Sequence, residues 1–207
     1  MRHVVTAGDV PASGDLRVPP ETIVTASAQE TAAARGVRIL EVPEDQVSLL
    51  APPERTVAIG ADHGGFRLKE ALKPVLASLG LEVRDVGVYE EKPADYPDLA
   101  LKVGELVVSG AATRGVVIDG AGIGSAIAAN KISGIRAAPC YDKACAKNSR
   151  EHNDSNVLTL GARILTATQA EEVLRTWMAT GFAGGRHQAR VDKIVAMERQ
   201  FAKKALP

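Results

Sequence analysis

From Arg55 onward the chain repeats one unit, a short apolar run followed by a longer segment with apolar residues at helical spacing, with no hairpin signal between units. Val57-Ala58-Ile59 ends at Gly60, after which Leu68, Leu72, Val75, Leu76 and Leu79 recur at helical spacing until Gly80 stops the helix. Leu81 to Val86 is a second strand, followed by a helix with Pro97 in its first turn and Leu99, Val103, Leu106 and Val107 on one face. Val116-Val117-Ile118 is apolar without alternation, as a strand covered on both faces must be. Ile123 to Lys131 reads as helix, Ile135 to Ala138 as strand, and Tyr141 to Glu151 as helix. Val157 to Leu160 is the fifth strand, and Ala170, Val173, Leu174 and Trp177 mark the next helix. Strands joined only by helices must run parallel, so the pattern predicts an α/β fold: a three-layer α/β/α sandwich around a five-stranded parallel sheet. A last helix, Gln188 to Lys203, has no sixth strand to pack behind and is expected to pack on a partner subunit.

Residues 1–54 read differently and are taken as an N-terminal extension to a domain spanning 55–207. They hold Pro11, Pro19, Pro20, Pro43, Pro52 and Pro53, with one short helix expected from Thr25 to Arg35 and an apolar stretch at Val37-Arg38-Ile39-Leu40. At 207 residues the chain suits one α/β domain plus such an appendage. Lys and Arg total 25 and so do Asp and Glu, which removes any general electrostatic reason to bind nucleic acid or an anionic membrane. Three Phe, three Tyr and one Trp are too few for a base-stacking surface. No apolar run reaches membrane-span length and Met1-Arg2-His3 opens no signal peptide, so a soluble cytoplasmic protein is expected. Cys140 and Cys145 make no disulfide scaffold and lack zinc-ligand spacing; no metal or cofactor is expected.

Ligands of open parallel sheets bind beyond the carboxyl ends of the strands. The first strand is followed by Gly60-Ala61-Asp62-His63-Gly64-Gly65, and the third by Asp119-Gly120-Ala121-Gly122-Ile123-Gly124-Ser125. Arg150-Glu151-His152-Asn153-Asp154 precedes the fifth, Gly161-Ala162-Arg163 follows it, and Gly184-Gly185-Arg186-His187 opens the last helix. These segments are expected to converge at one edge of the sheet, or to reach it from a partner. The Asp119–Ser125 turn can aim several amides at one anion on the positive end of a helix, although a tight turn needing positive φ would look the same. It has neither GxGxxG nor GxxxxGK[ST] spacing, which disfavours a dinucleotide or P-loop site. Arg186 and Arg190, four apart, can face one phosphate or simply form a solvated basic helix end. His152 can serve chemistry or a helix-terminal cap.

Ala61-Asp62-His63-Gly64-Gly65, Asp95-Tyr96-Pro97, Gly120-Ala121-Gly122-Ile123-Gly124, Ala128-Ala129-Asn130-Lys131, Gly134-Ile135-Arg136-Ala137, Arg150 to Asp154 and Gly184 to His187 together resemble the type B ribose-5-phosphate isomerases. That family also includes the galactose-6-phosphate isomerase subunits. The resemblance is collinear over about residues 55 to 200. It implies a Rossmann-like fold, a homodimer (a tetramer being the alternative assembly) with sites at the subunit interface, and metal-free aldose–ketose isomerisation of ribose 5-phosphate. By the same resemblance, His152 opens the sugar ring, Asp62 contacts hydroxyls and Tyr96 lines the ring. Asn153 and the amides of Gly120, Ala121, Gly122, Ile123 and Gly124 hold the enediolate, while His63, Arg163, Arg186 and Arg190 hold the phosphate. Many members carry a Cys base where this chain has Asp119, a Thr at Ala121, and another branch a Glu at Ser125. Asp119, partly desolvated at the strand end, is therefore expected to be the base. The alternatives are isomerisation of a six-carbon or deoxy sugar phosphate, or an inactive binding or scaffold protein. Leu16 to Pro20, Ile23 to Thr25 and Ala34 to Ile39 are similar to leader segments of bacterial microcompartment enzymes. That similarity implies shell or cargo partners; a solvent-exposed appendage or a dimer-stabilising arm is the alternative.

Overall fold

The residues before Glu54 carry more regular structure than the single helix expected. A computed structural model describes Val4, Val5, Ala7, Val10, 15–18, 20–42 and 56–202, and the chain divides into two units, Met1–Glu54 and Arg55–Pro207. In the first, β1 (Val4–Val5) runs parallel to β3 (Ile23–Val24), and β2 (Asp15–Val18) runs parallel to β4 (Arg38–Glu41). Between β3 and β4 lies α1 (Ala26–Arg35), capped by the Thr25 hydroxyl, which accepts from the Ala28 amide, and closed by Gly36 in the left-handed region. Ala28 and Ala32 face Val5, Val10, Val18 and Val37 in a small apolar cluster.

The second unit is built from β5 (Thr56–Ala61), α2 (Phe66–Ser78), β6 (Glu82–Asp85), α3 (Tyr96–Val108), β7 (Arg114–Asp119) and α4 (Ile123–Ala129). It continues with β8 (Ala137–Pro139), α5 (Lys143–Asn153), β9 (Val157–Gly161), α6 (Ala167–Ala179), a 3-10 turn (Gly185–His187) and α7 (Gln188–Ala202). The five strands form one parallel sheet in the order β6-β5-β7-β9-β8. Both faces are covered, as the unalternating strands require. Val57, Ile59, Val116, Ile118, Leu158 and Leu160 pack on α2 and α6, while Ala58, Val117 and Val157 meet α3 and α4 on the other side. Trp177 of α6 is fully buried and donates to the Ser155 hydroxyl at 3.0 Å. A Thr166–Gln169 capping box starts α6. On α7, Val191 is buried, whereas Ile194, Met197 and Phe201 stay exposed.

Candidate active site

One group of the expected residues lies at the carboxyl edge. Asp62 follows β5; its amide donates to Ile118 O, and its Oδ1 accepts from the Gly65 amide at 2.9 Å. His63 is exposed, with Nδ1 3.4 Å from the Ala94 amide and carbonyl. After β7 the chain turns sharply at Gly122, whose φ of +78° suits glycine. A Cβ on Gly124 would fall 2.6 Å from the Tyr96 ring, so this glycine lets the ring lie against the turn. The side chain of Arg163 runs past Gly120, and its amide donates to Gly120 O at 2.9 Å. Asp62, Tyr96, the 120–124 turn and Arg163 thus lie together at the carboxyl ends of β5, β7 and β9.

Asp119 is oriented otherwise than expected. Its Oδ1 accepts from the amides of Ala121 (2.7 Å) and Gly122, and its Oδ2 accepts from the Ser125 amide (2.8 Å) and hydroxyl (2.5 Å). The residue is only 4% exposed. Burial alone would raise its pKa, but the Ser125 hydroxyl and the three amides outweigh it and hold the carboxyl below the usual range. A carboxylate whose lone pairs are all occupied, and whose pKa is depressed, is badly placed to take a proton from carbon. The same bonds turn the Ala121 and Gly122 amides toward Asp119, so those two do not face a ligand. The amides of Gly120, Ile123 and Gly124, at the open start of α4, do not donate to Asp119.

The second group lies elsewhere. α5 leaves the carboxyl end of β8 and brings the chain back to the amino end of β9, so His152 and Asn153 sit at the opposite edge of the sheet from Asp119. Its final turn is fixed by Asp154, a non-glycine residue at φ 47°. The Asp154 carboxylate accepts from Arg136 at 2.8 Å and Arg150 at 2.9 Å, and the Asp154 carbonyl accepts from Arg136 Nε at 2.9 Å. Asn148 Nδ2 lies 2.9 Å from His152 Nδ1; with the amide donating, Nε2 carries the ring proton. The His152 ring stacks on His187, centroids 4.1 Å apart. Burial, then the neighbouring His152, Arg186 and Arg190, hold His187 below its usual pKa. Arg186 and Arg190 are exposed on the same segment. Beside Asn153 a groove of about 710 Å³ opens, lined by Arg136, Ser149, Ser155, Ile194 and Phe201.

The expectation of convergence at one edge is therefore met only in halves. A single chain places Asp62, His63, Tyr96, 120–124 and Arg163 at one edge and His152, Asn153, Arg186 and Arg190 at the other. Sequence reasoning gave no role to Asn148, Arg136, Asp154 or His187, which set the position of His152 and its neighbour. The signal for the last three was present, since Arg136, Asp154 and His187 all lie in the segments that carried the resemblance. Among the described residues no cluster of three or more His, Cys, Asp or Glu could hold a metal ion, and no helix is long and apolar enough to cross a membrane.

Comparison with known proteins gives the family. The profile of the family described as Ribose/Galactose Isomerase matches residues 57–194. The chain is 40% identical over 146 residues to the ribose-5-phosphate isomerase B of Escherichia coli strain K12, covering 70% of this chain and 98% of that one. It is 38% identical over 148 residues to a D-erythrulose-4-phosphate isomerase of Pectobacterium atrosepticum, covering 70% of this chain and 96% of that one. The solved ribose-5-phosphate isomerase B of Clostridium thermocellum is 46% identical and superposes with a TM-score of 0.70, covering 70% of this chain and 99% of that chain.

Proposed function

The chain belongs to the ribose/galactose isomerase family of sugar-phosphate isomerases, and we propose that it interconverts ribose 5-phosphate and ribulose 5-phosphate through an enediolate. The observation that carries the reading is the open start of α4, where the Gly120, Ile123 and Gly124 amides meet Tyr96, Asp62 and Arg163 at the carboxyl edge. Amides fixed before the reaction stabilise an oxyanion as it forms, which is what an enediolate needs. The other half of the site comes from a second copy of the chain, whose His152 opens the ring while Asn153, Arg186 and Arg190 hold an enediolate oxygen and the phosphate. The exposed Ile194, Met197 and Phe201 on α7 supply an apolar surface for such a copy. Binding the phosphate away from the reacting carbons orients them. A coupled assay across four-, five- and six-carbon aldose phosphates tests this: kcat/KM should be highest for ribose 5-phosphate.

A second reading, isomerisation of another sugar phosphate, is favoured by Ala121, which brings no hydroxyl to the turn, and by the likeness to the D-erythrulose-4-phosphate enzyme. A four- or six-carbon phosphate turned over faster than ribose 5-phosphate would select it. Residues 1–54 we propose as an interaction segment for microcompartment shell or cargo proteins. Full-length protein should co-sediment with shell proteins and a chain beginning at Arg55 should not; equal behaviour would refute that role.

A further inference from the structure

We propose that Asp119 is the latch of the amide turn and that Asp62 is the group that takes the proton from the sugar carbon. This rests on the isomerase reading above. Both oxygens of Asp119 are filled by four hydrogen bonds, two of them from Ser125, which is itself 0% exposed. The peptide between Ala121 and Gly122 is held at both ends: its N–H donates to Asp119, and its carbonyl accepts from the Tyr141 hydroxyl at 3.0 Å. In the next peptide the Gly122 carbonyl accepts from Thr159 Oγ1 at 2.6 Å. A trans peptide points its N–H opposite its carbonyl, so the Ile123 amide is turned away from β9. Asp119, Tyr141 and Thr159 therefore fix the turn from behind and leave its remaining amides for the ligand.

Of the carboxylates at the carboxyl ends of the strands, Asp85 is held by Lys69 and Lys73, Asp142 caps α5 by accepting from the Cys145 amide, and Asp119 is filled by its own turn. Asp95 is exposed and lines a different cavity with Asp98 and Lys102. Asp62 is oriented by the Gly65 amide on Oδ1, while its Oδ2 accepts no hydrogen bond among the described residues. It lies on the Gly120 side of the turn, where a Cβ on Gly64 would be 3.3 Å from Asp62 Oδ1 and 3.9 Å from Gly120 N. In the step proposed, Asp62 takes the proton from C-2 of the open aldose. The C–H pair forms the C-1=C-2 bond, and the carbonyl pair moves onto O-1 against the free amides. A proton passes from O-2 to O-1, Asp62 returns its proton to C-1, and C-2 becomes the carbonyl. No electrons leave the sugar.

The test uses Asp62→Asn and Ser125→Ala in the full chain, with isomerisation, exchange of the C-2 hydrogen with deuterated solvent, and pH profiles of kcat/KM. The ionisable groups around the turn are Asp62, His63, Tyr96, Tyr141 and Arg163. Asp62→Asn should lose turnover and exchange together by between about 100- and 10,000-fold, with inhibition by inorganic phosphate unchanged. Ser125→Ala should lower kcat about tenfold, the effect of one hydrogen bond to a charged group, with exchange retained and the acid limb at its wild-type pH. If Ser125→Ala moved the acid limb upward with kcat retained, Asp119 would be the titrating base and the assignment would fall. Exchange at the wild-type rate in Asp62→Asn would overturn it equally. A wild-type chain inert toward every sugar phosphate would overturn the isomerase reading itself, and this assignment with it.

Discussion

Splitting the site between two copies predicts complementation between two inactive variants. Gly124→Val drives a side chain into Tyr96, since even the first added carbon would lie 2.6 Å from the ring; it disables the carboxyl-edge half. His152→Ala disables the amino-edge half. Within one chain these halves are separated by the length of β7, from Gly115 beside Val157 to Asp119 beside Gly161, about 13 Å at about 3.3 Å per residue. Each variant alone leaves every site of its homodimer with one broken half. Co-expressed in equal amounts, half of the dimers are mixed. Each mixed dimer joins the intact turn of one chain to the intact His152 of the other in one of its two sites. Specific activity should then recover to about half of wild type in mixed dimers purified through two different tags, and to about a quarter before that purification, read with the coupled isomerase assay. Were both halves of the site drawn from one chain, no mixed dimer would contain an intact site. Purified mixed dimers no more active than the two variants alone would refute the shared site.

Trp177→Ala should cost about 3–5 kcal/mol in denaturant unfolding, because the ring is fully buried and lies against the guanidinium groups of Arg114 and Arg150. Folding stability should fall on the acid side for a stated reason. Asp119 has a depressed pKa in the folded chain, so its contribution is complete above the unfolded value of about 3.9 and is lost as pH drops below that toward the folded value. Asp119→Asn should flatten that acid slope in pH-dependent denaturation; an unchanged slope would show that Asp119 does not contribute to it. Burial pushes the Cys140 thiol up to about 11, whereas Cys145 is exposed. A thiol reagent at neutral pH should therefore modify Cys145 first and reach Cys140 only on unfolding, as followed by mass spectrometry.

The sheet was legible because its strands are unalternating and separated by clear helical spacing: Val116 to Ile118 could only be an interior strand, and it pairs with β5 on one side and β9 on the other. The turn after it was legible from its glycines. Which edge His152 occupies was also implicit, because a helix joining two parallel strands must return the chain to the amino edge before the next strand begins; proximity in sequence to glycine-rich turns concealed this. The fate of the Asp119 carboxylate was less accessible. An Asp followed closely by flexible residues can bond its own downstream amides, but the same residues fit a free base, and only the folded turn distinguishes the two. The stacking of His187 on His152 depends on how the end of α6 meets the end of α5, through the Ala183 amide bound to Glu151 O, and no periodicity reports that. In residues 1–54, the strands are two to four residues long and lie among prolines, below the length at which a pattern can be read.

The doubly tethered peptide between Ala121 and Gly122 also bears on how this protein could diversify. Its orientation is dictated by neighbours at 119 and 141, so whatever side chain grows from position 121 is a passenger on a frame it does not support. Enlarging or hydroxylating that residue would change the surface of the turn without redirecting its amides. Side-chain identity at position 121 and the direction of the neighbouring amides are thus mechanically decoupled here.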